Sequence, residues 1–400
     1  MNPSRRRNAG QALVIMVLAM VAIVAGMGLI IDGGNAWAQQ RITQAGNDAA
    51  VEAGAVEIAK YQVDLSNGLS PSEATIDALV DAAVNGAAAN NGIGVPTAWY
   101  TDICGTLLRI DGTKATGTGD AAPVGGGGLP TNNHTNPDCP AGVVGPVAGV
   151  QAGGTKTFDS FVSRIIGIGQ LTANTTATAV AGILQGTCSA ASGCVVLPVT
   201  APVTVVTCDG SGKAVGTSLP WPKNVRVIVP LCKNNPGNVG WLDWTPKGGG
   251  TSELVDSILH PDNPPIDLPS WQYVTATGNV NSKPVDDALN TYDGQVVLWP
   301  MFDLTCAADP DISQTKVPPD FGCSDIGGNG SNQWYRFPQF AAFELEHAYV
   351  NGNNAICDTG NGATSCLIGK FVDFITSGTV GPGVGGGTTD SGIRGVQLIK

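Results

Sequence analysis

The hydrophobic pattern divides the chain at Asp32. Before it runs an uninterrupted apolar stretch: Ala12, Leu13, Val14, Ile15, Met16, Val17, Leu18, Ala19, Met20, Val21, Ala22, Ile23, Val24, Ala25, Gly26, Met27, Gly28, Leu29, Ile30 and Ile31. At 1.5 Å per residue such a stretch makes about 30 Å of helix, the thickness of a bilayer's hydrocarbon core. Arg5, Arg6 and Arg7 precede it, and no further basic residue occurs until Arg41. That asymmetry predicts a cytoplasmic N-terminus, with the bulk of the chain outside the cytoplasm. The expected layout starts with a cytoplasmic tail, 1–10, and a single-pass transmembrane helix, 11–31, in the plasma (inner) membrane. A cleaved signal peptide is the competing reading, because Ala36-Trp37-Ala38 has the form of a cleavage site. The run is longer than an ordinary signal core, which favours a retained anchor. A type IV prepilin is disfavoured because Ile15 stands where processing after Gly10 would call for Glu.

Beyond Asp32 the pattern becomes that of a small-residue helix, a shaft over 32–65. Ala45, Ala49 and Ala53 recur at i+4, flanked by a second row of Gly46, Ala50 and Gly54. Rows of this kind let backbones approach closely. Their partner is either the protein's own outer domain or the helix of another protein. A second helix is expected after Ser70, with Pro71 at its first position and Glu73 completing a capping box. Ile76, Leu79, Val80, Ala83 and Val84 form its apolar face, and Gly92 can end it. The Gly/Pro-rich stretch 117–146 reads as a long surface loop with little to bury. In 155–184, Phe158, Phe161, Val162 and Ile165 suggest an amphipathic helix, followed by an alternating strand. Residues 66–185 therefore read as an α+β extracytoplasmic domain.

From Gly186 onward strands follow at short spacing: "APVTVVTCDG", "NVRVIVPLC", "GQVVLWPMFDL", "FAAFELEHAYV" and "IGKFVDFI". In the fourth, Phe343, Leu345, His347 and Tyr349 alternate with Glu344 and Glu346, which predicts one wet face and a packed His347. Residues 186–400 read as a β-rich extracytoplasmic domain, and the whole chain as α+β.

Charge and cysteines narrow the function classes. Without the three arginines that precede Asp32, 17 basic residues face 32 acidic ones, a balance of −15. Such a surface repels nucleic acid and anionic lipid, neither of which is expected as a partner. All ten cysteines (Cys104, Cys139, Cys188, Cys194, Cys208, Cys232, Cys306, Cys323, Cys357 and Cys366) follow the apolar run. An even number in an oxidising compartment predicts disulfides. Pairing between sequence neighbours is expected, Cys357 with Cys366 and Cys188 with Cys194 first. C-x-x-C is absent, and His134, His260 and His347 are scattered, so no zinc site is expected.

Little else has the form of a catalytic centre. No G-x-S-x-G, H-E-x-x-H or P-loop occurs. Lys247 and Gly248–Gly250 precede a helix to be capped by Thr251 or Ser252, which reads as a flexible turn. Trp241, Asp243 and Trp244 have the makings of a sugar-stacking surface, although buried tryptophans are commoner. Asp309, Asp311, Asp358 and Asn361 have no EF-hand spacing and read as loop residues. No catalytic, cofactor-binding or metal-binding residue is expected.

"GQALVIMVLAMVAIVAGMGLIIDGGNAWAQQRITQAGNDAAVEAGA" resembles the N-terminal segment of TadG-like proteins of the tight-adherence (Tad/Flp) pilus-assembly system. The match covers about residues 9 to 56. It includes the Gly-Gln-Ala entry, the Asp-Gly-Gly exit and the Asn-Asp-Ala-Ala stretch beyond. Parts of 234–374 look similar to the C-terminal half of some TadG-like chains. Some such proteins carry a von Willebrand-type domain, whose metal site needs Asp-x-Ser-x-Ser. The nearest stretch here, Asp209 to Lys213, ends in lysine, so that site is not expected. The resemblance implies a membrane-anchored, non-enzymatic component of Flp pilus assembly or cell adhesion, with other Tad proteins or pilin as partners. The alternative is a membrane-anchored extracellular hydrolase or a wall- or carbohydrate-binding protein.

Overall fold

The computed structural model describes residues 4–130, 139, 147–186, 196–211, 214–232, 240–242, 250–261, 266, 268–274, 281–307, 323–324, 333–352, 354–357, 363–381 and 392–399. It is an α+β molecule led by one long helix. α1 (Ser4–Ser66) has 63 residues, about 94 Å at 1.5 Å per residue. From Leu13 to Ile31 every large apolar side chain described is more than half exposed. This is the one helix among the described residues long and apolar enough to cross a membrane. After Asp32 the same helix buries Asn47, Ala50, Val51, Ala55, Ile58, Ala59 and Gln62 in the domain that follows. The run 32–65 is therefore a core element along much of its length rather than a free-standing shaft.

α1 lies across a six-stranded sheet. Its order is β1 (Gly94–Thr101), β2 (Gly149–Asp159), β3 (Gln170–Gly186), then two strands from the far end of the chain: β18 (Ile393–Ile399) and β16 (Phe374–Ser377). β17 (Thr379–Gly381) pairs separately with β3. α2 (Glu73–Asn90) packs beside α1. Its buried stripe is Ile76, Val80, Val84 and Ala88, an i+4 row, with Asp77 beside it. Leu79 from the expected stripe is exposed instead. The helix also starts later than its capping box implied. Ser72 is the N-cap and makes no side-chain cap bond. The left-handed Gly92 follows its C-cap, as expected.

Two expectations fail in this sheet. Residues 149–186 form a long β-hairpin, paired from Gly149↔Val180 to Asp159↔Gln170, with a 3-10 turn at Ser163–Ile166 in its connection. No helix runs through Phe158 to Ile165. Phe158 belongs to β2, and Phe161 and Ile165 belong to the hairpin tip, so their helical spacing comes from two different elements. The first sheet is also completed by residues 374–399, which a division at 185/186 assigns to the second domain. β18 pairs antiparallel with β3, from Arg394↔Ile183 to Ile399↔Thr178.

A second sheet of six strands has the order β7 (Arg226–Cys232), β15 (Ala363–Val372), β14 (Gln339–Tyr349), β10 (Val296–Phe302), β4 (Val199–Pro202) and β8 (Gly240–Trp241). α3 (Thr251–Leu259) and α4 (Lys283–Asn290) share its core through Leu254, Ile258, Val285 and Leu289. At the centre Trp299 stacks on Phe343 with ring centroids 4.1 Å apart, and Phe371 meets both rings edge-on. Offset and edge contacts of this kind add to the area these rings bury. In β14 the register shifts between Leu345 and His347. After this bulge Ala348 is buried, while His347 and Tyr349 are half-exposed. The bulge thus moves His347 off the inward face that strict alternation assigns it.

A smaller sheet orders β12 (Cys323–Ser324), β11 (Leu304–Ala307), β13 (Gln333–Phe337) and β9 (Ser270–Val274), and β5 (Thr204–Cys208) pairs with β6 (Ala214–Pro220). A third apolar cluster joins the sheets, with Leu184 and Ile393 from the first meeting Leu298, Phe302, Tyr335 and Phe340. Three described disulfides, Cys104–Cys139, Cys208–Cys232 and Cys357–Cys366, join sequence neighbours as expected. Cys306 is also disulfide-bonded, and the strand register sets it opposite Cys323. Cys188 and Cys194 lie outside the described residues.

Candidate membrane-proximal site

The polar end of the apolar run is a built site. Asp32 is the first residue past the run, and its side chain is buried. Its carboxylate accepts four hydrogen-bond donors from the β2–β3 hairpin tip. Oδ1 takes the Phe161 N–H at 2.8 Å, and Val162 N–H lies 3.1–3.2 Å from both oxygens. Oδ2 takes the Ser163 N–H and the Ser163 hydroxyl, each at 2.6 Å. Three successive backbone N–H groups aimed at one anion form a nest. The Ser163 hydroxyl first, then these N–H groups, lower the Asp32 pKa to about 2. The donors' preference for the charged form outweighs the opposing effect of burial.

One turn toward the N-terminus, Val162 sits on Gly28, where a Cβ would overlap Val162 Cγ1. A side chain at position 28 would push the tip away from the helix. Glycine is thus required there by close approach, not merely tolerated in a membrane helix. Val162, Ser163 and Ile165 share with Met20, Val21, Val24, Met27 and Leu29 an apolar groove of about 710 Å³. Past Asp32, Arg41 lies over the exposed Trp37 ring, 4.1 Å from its centroid.

The two small-residue rows separate. Gly46 and Gly54 face the protein's own domain. A Cβ on Gly54 would come within 2.7 Å of Val84 Cγ2 and 3.1 Å of Val150 Cγ2. On the same face, Asn47 donates to the Ala152 carbonyl at 3.0 Å, and Gln62, beyond Gly54, does the same to Ala181 at 3.1 Å. In the other row Ala45 is exposed, and Ala49 and Ala53 are half-buried.

A second helix carboxylate repeats the Asp32 arrangement inside the domain. Asp77 on α2 accepts the Tyr100 hydroxyl at 2.5 Å, Gly125 N–H at 2.8 Å and Gly127 N–H at 2.6 Å. Burial, and next Asp77, push the Tyr100 pKa upward. The described part of the glycine-rich stretch is therefore folded onto the core, with Ala122 and Leu129 buried. Glycine N–H groups, with no side chains in the way, reach the buried carboxylate, which corrects the surface-loop expectation.

The remaining candidates are dispersed. His260 pairs with Asp256 at the exposed end of α3, and His347 with Asp293. Trp241 is buried, whereas Asp243 and Trp244 lie outside the described residues. Gly250, rather than Thr251 or Ser252, is the α3 N-cap. Asp209 accepts the backbone N–H and hydroxyl of Ser211 in the β5–β6 turn. Asp102 lies close to Cys104 and Cys139, but both sulfurs are tied up in a disulfide. Its carboxylate accepts the N–H groups of Cys104 and Thr106. The Arg5, Arg6 and Arg7 backbone is helical. His134, Asp309, Asp311, Asp358 and Asn361 fall outside the described residues.

The Asp32 clamp could not be read from the sequence, since it joins residues about 130 apart. Its one local sign is an acid immediately after an apolar run. No family model, curated protein or solved structure matches the chain.

Proposed function

We propose that this protein is a membrane-anchored, non-enzymatic component serving assembly or anchoring of a tight-adherence pilus. The observation that carries the anchoring part is the continuity of α1. Its exposed apolar half runs without a break into a half that is core to the outer domain. A helix that both spans and packs in this way would fix the domain's position at the outer face of the inner membrane, with no flexible linker between. The disulfides suit an oxidising extracytoplasmic setting.

The pilus part rests on the resemblance of residues 9–56 to TadG-like proteins. The Ala45 row, exposed at Ala45 and half-buried at Ala49 and Ala53, supports it as a place for another protein's helix to approach closely. Pilin or another Tad protein would be the partner. The test is deletion of the gene with counting of surface pili, alongside an Ala45→Leu chain assayed for co-purification of pilus-system proteins. The proposal expects loss of pili on deletion, and in the variant a weakened association with the fold unchanged. Unaltered pilus number and adhesion in the deletion strain would contradict it and favour the hydrolase or wall-binding alternative.

A further inference from the structure

We infer that the β2–β3 hairpin tip is a second membrane-inserting element, with Phe161 and Ile165 seated among acyl chains of the outer leaflet beside α1. This rests on α1 crossing the membrane. Phe161 is 68% exposed, Ile165 80% and Ile168 46%, an unusual concentration of bare apolar side chains on one turn. Isolated exposed hydrophobics need no explanation, but these three are held in one place by two contacts.

The Asp32 carboxylate binds the tip at the last turn of the span. Val162 then contacts Gly28 four residues further in, about 6 Å closer to the bilayer centre at 1.5 Å per residue. The tip therefore points back along α1 toward the membrane, not out toward the domain. One wall of its groove is the apolar span itself, at Met20, Val24 and Met27. At that depth the span's surroundings are acyl chains, so whatever covers Ile165 is continuous with whatever covers the span. Lipid is the occupant that this continuity selects. Arg164 is exposed in the same turn, and an arginine there can extend its guanidinium to a lipid phosphate while the tip's apolar side chains stay below.

The hydrogen-bond accounting agrees. Backbone N–H groups near the hydrocarbon boundary need partners other than water. Those of Phe161, Val162 and Ser163 have the Asp32 carboxylate, and the Ser160 hydroxyl donates to the Ile168 carbonyl. The tip is thus an apolar surface whose polar atoms are largely satisfied from within.

The test is photocrosslinking of the full-length protein in native membranes containing clickable phosphatidylethanolamine. Benzoylphenylalanine is placed at one position at a time: Phe161, Ile165, Leu29 in the span, and Leu219 on the distant β6. Lipid adducts are expected at 161, 165 and 29, each at least about tenfold above 219, since insertion places the probe among acyl chains. Adducts at 29 but not at 165 would overturn the inference while leaving the span intact. A protein adduct at 165 would do the same and assign the groove to another chain. No lipid adduct at 29 would mean that the spanning reading itself fails, and the inference with it.

Discussion

The two halves of α1 share one backbone and differ in what surrounds them. From Ala12 to Ile31 the helix is apolar on every side, its described side chains are exposed, and of its two glycines only Gly28, under the hairpin tip, meets another element. A Cβ on Gly26 would touch nothing within 4 Å. Beyond the turn after Asp32 one face is buried, Gly46 and Gly54 stand where a helix or strand presses in, and buried polar groups reach backbone carbonyls. The two surfaces suit different surroundings. An all-round apolar surface fits lipid, whereas a one-sided surface of small residues fits close packing on protein. Asp32 stands at the change, and the hairpin tip belongs to both regions.

The largest effect should come from charging the first half. Val24→Arg should lower the membrane-integrated fraction sharply, since arginine at the centre of a span costs about 2.5–3.5 kcal/mol on insertion scales. Carbonate extraction reads this directly, and full integration of the variant would argue that this half is not in lipid. Next is crowding of the second half. Gly54→Leu should destabilise the domain by about 3 kcal/mol, because the buried Val84 and Val150 already crowd that position. Gly26→Leu should leave the unfolding midpoint unchanged. Equal effects of the two substitutions would erase the contrast between the halves.

Smaller effects test the polar contacts. Asn47→Ala leaves the Ala152 carbonyl short of a donor and should cost about 1–2 kcal/mol. Denaturant unfolding of the detergent-solubilised protein measures it. The Asp32 clamp should respond to acid. Its pKa is depressed to about 2 by the Ser163 hydroxyl and the tip N–H groups. Its contribution is therefore fully present above the ordinary aspartate pKa of about 3.9 and lost as pH falls through about 2. Hydrogen exchange at Phe161–Ser163 should accelerate, beyond the intrinsic chemical change, over that window. Asp32→Asn should abolish the pH dependence and leave the tip loose at neutral pH.

Much of the fold was legible because its signals are local. The apolar run, the α2 stripe and the five strand segments after Gly186 each carry their period within a few residues. Errors arose where distant partners decide. Phe158, Phe161, Val162 and Ile165 mimic a helical face, but Phe158 belongs to β2, Val162 meets Gly28, and Phe161 and Ile165 face away from the domain. β18 lacked a local strand signal strong enough to separate it from the glycine-rich tail, and its partner β3 lies more than 200 residues earlier. The Gly125–Gly128 stretch resembles a linker until Asp77 is placed beneath it. The site itself was half visible, since the apolar run and its terminal Asp32 could be read and the hairpin that grips them could not.

The central claim is that α1 is kept whole, joining membrane to domain. Intact mass of the protein purified from native membranes tests it most directly. The account predicts a mature chain that retains Arg5 to Ile31 with Asp32 and its clamp. A mature N-terminus at Gln39 would contradict it, because cleavage after Ala38 removes the span, Gly28 and Asp32 together.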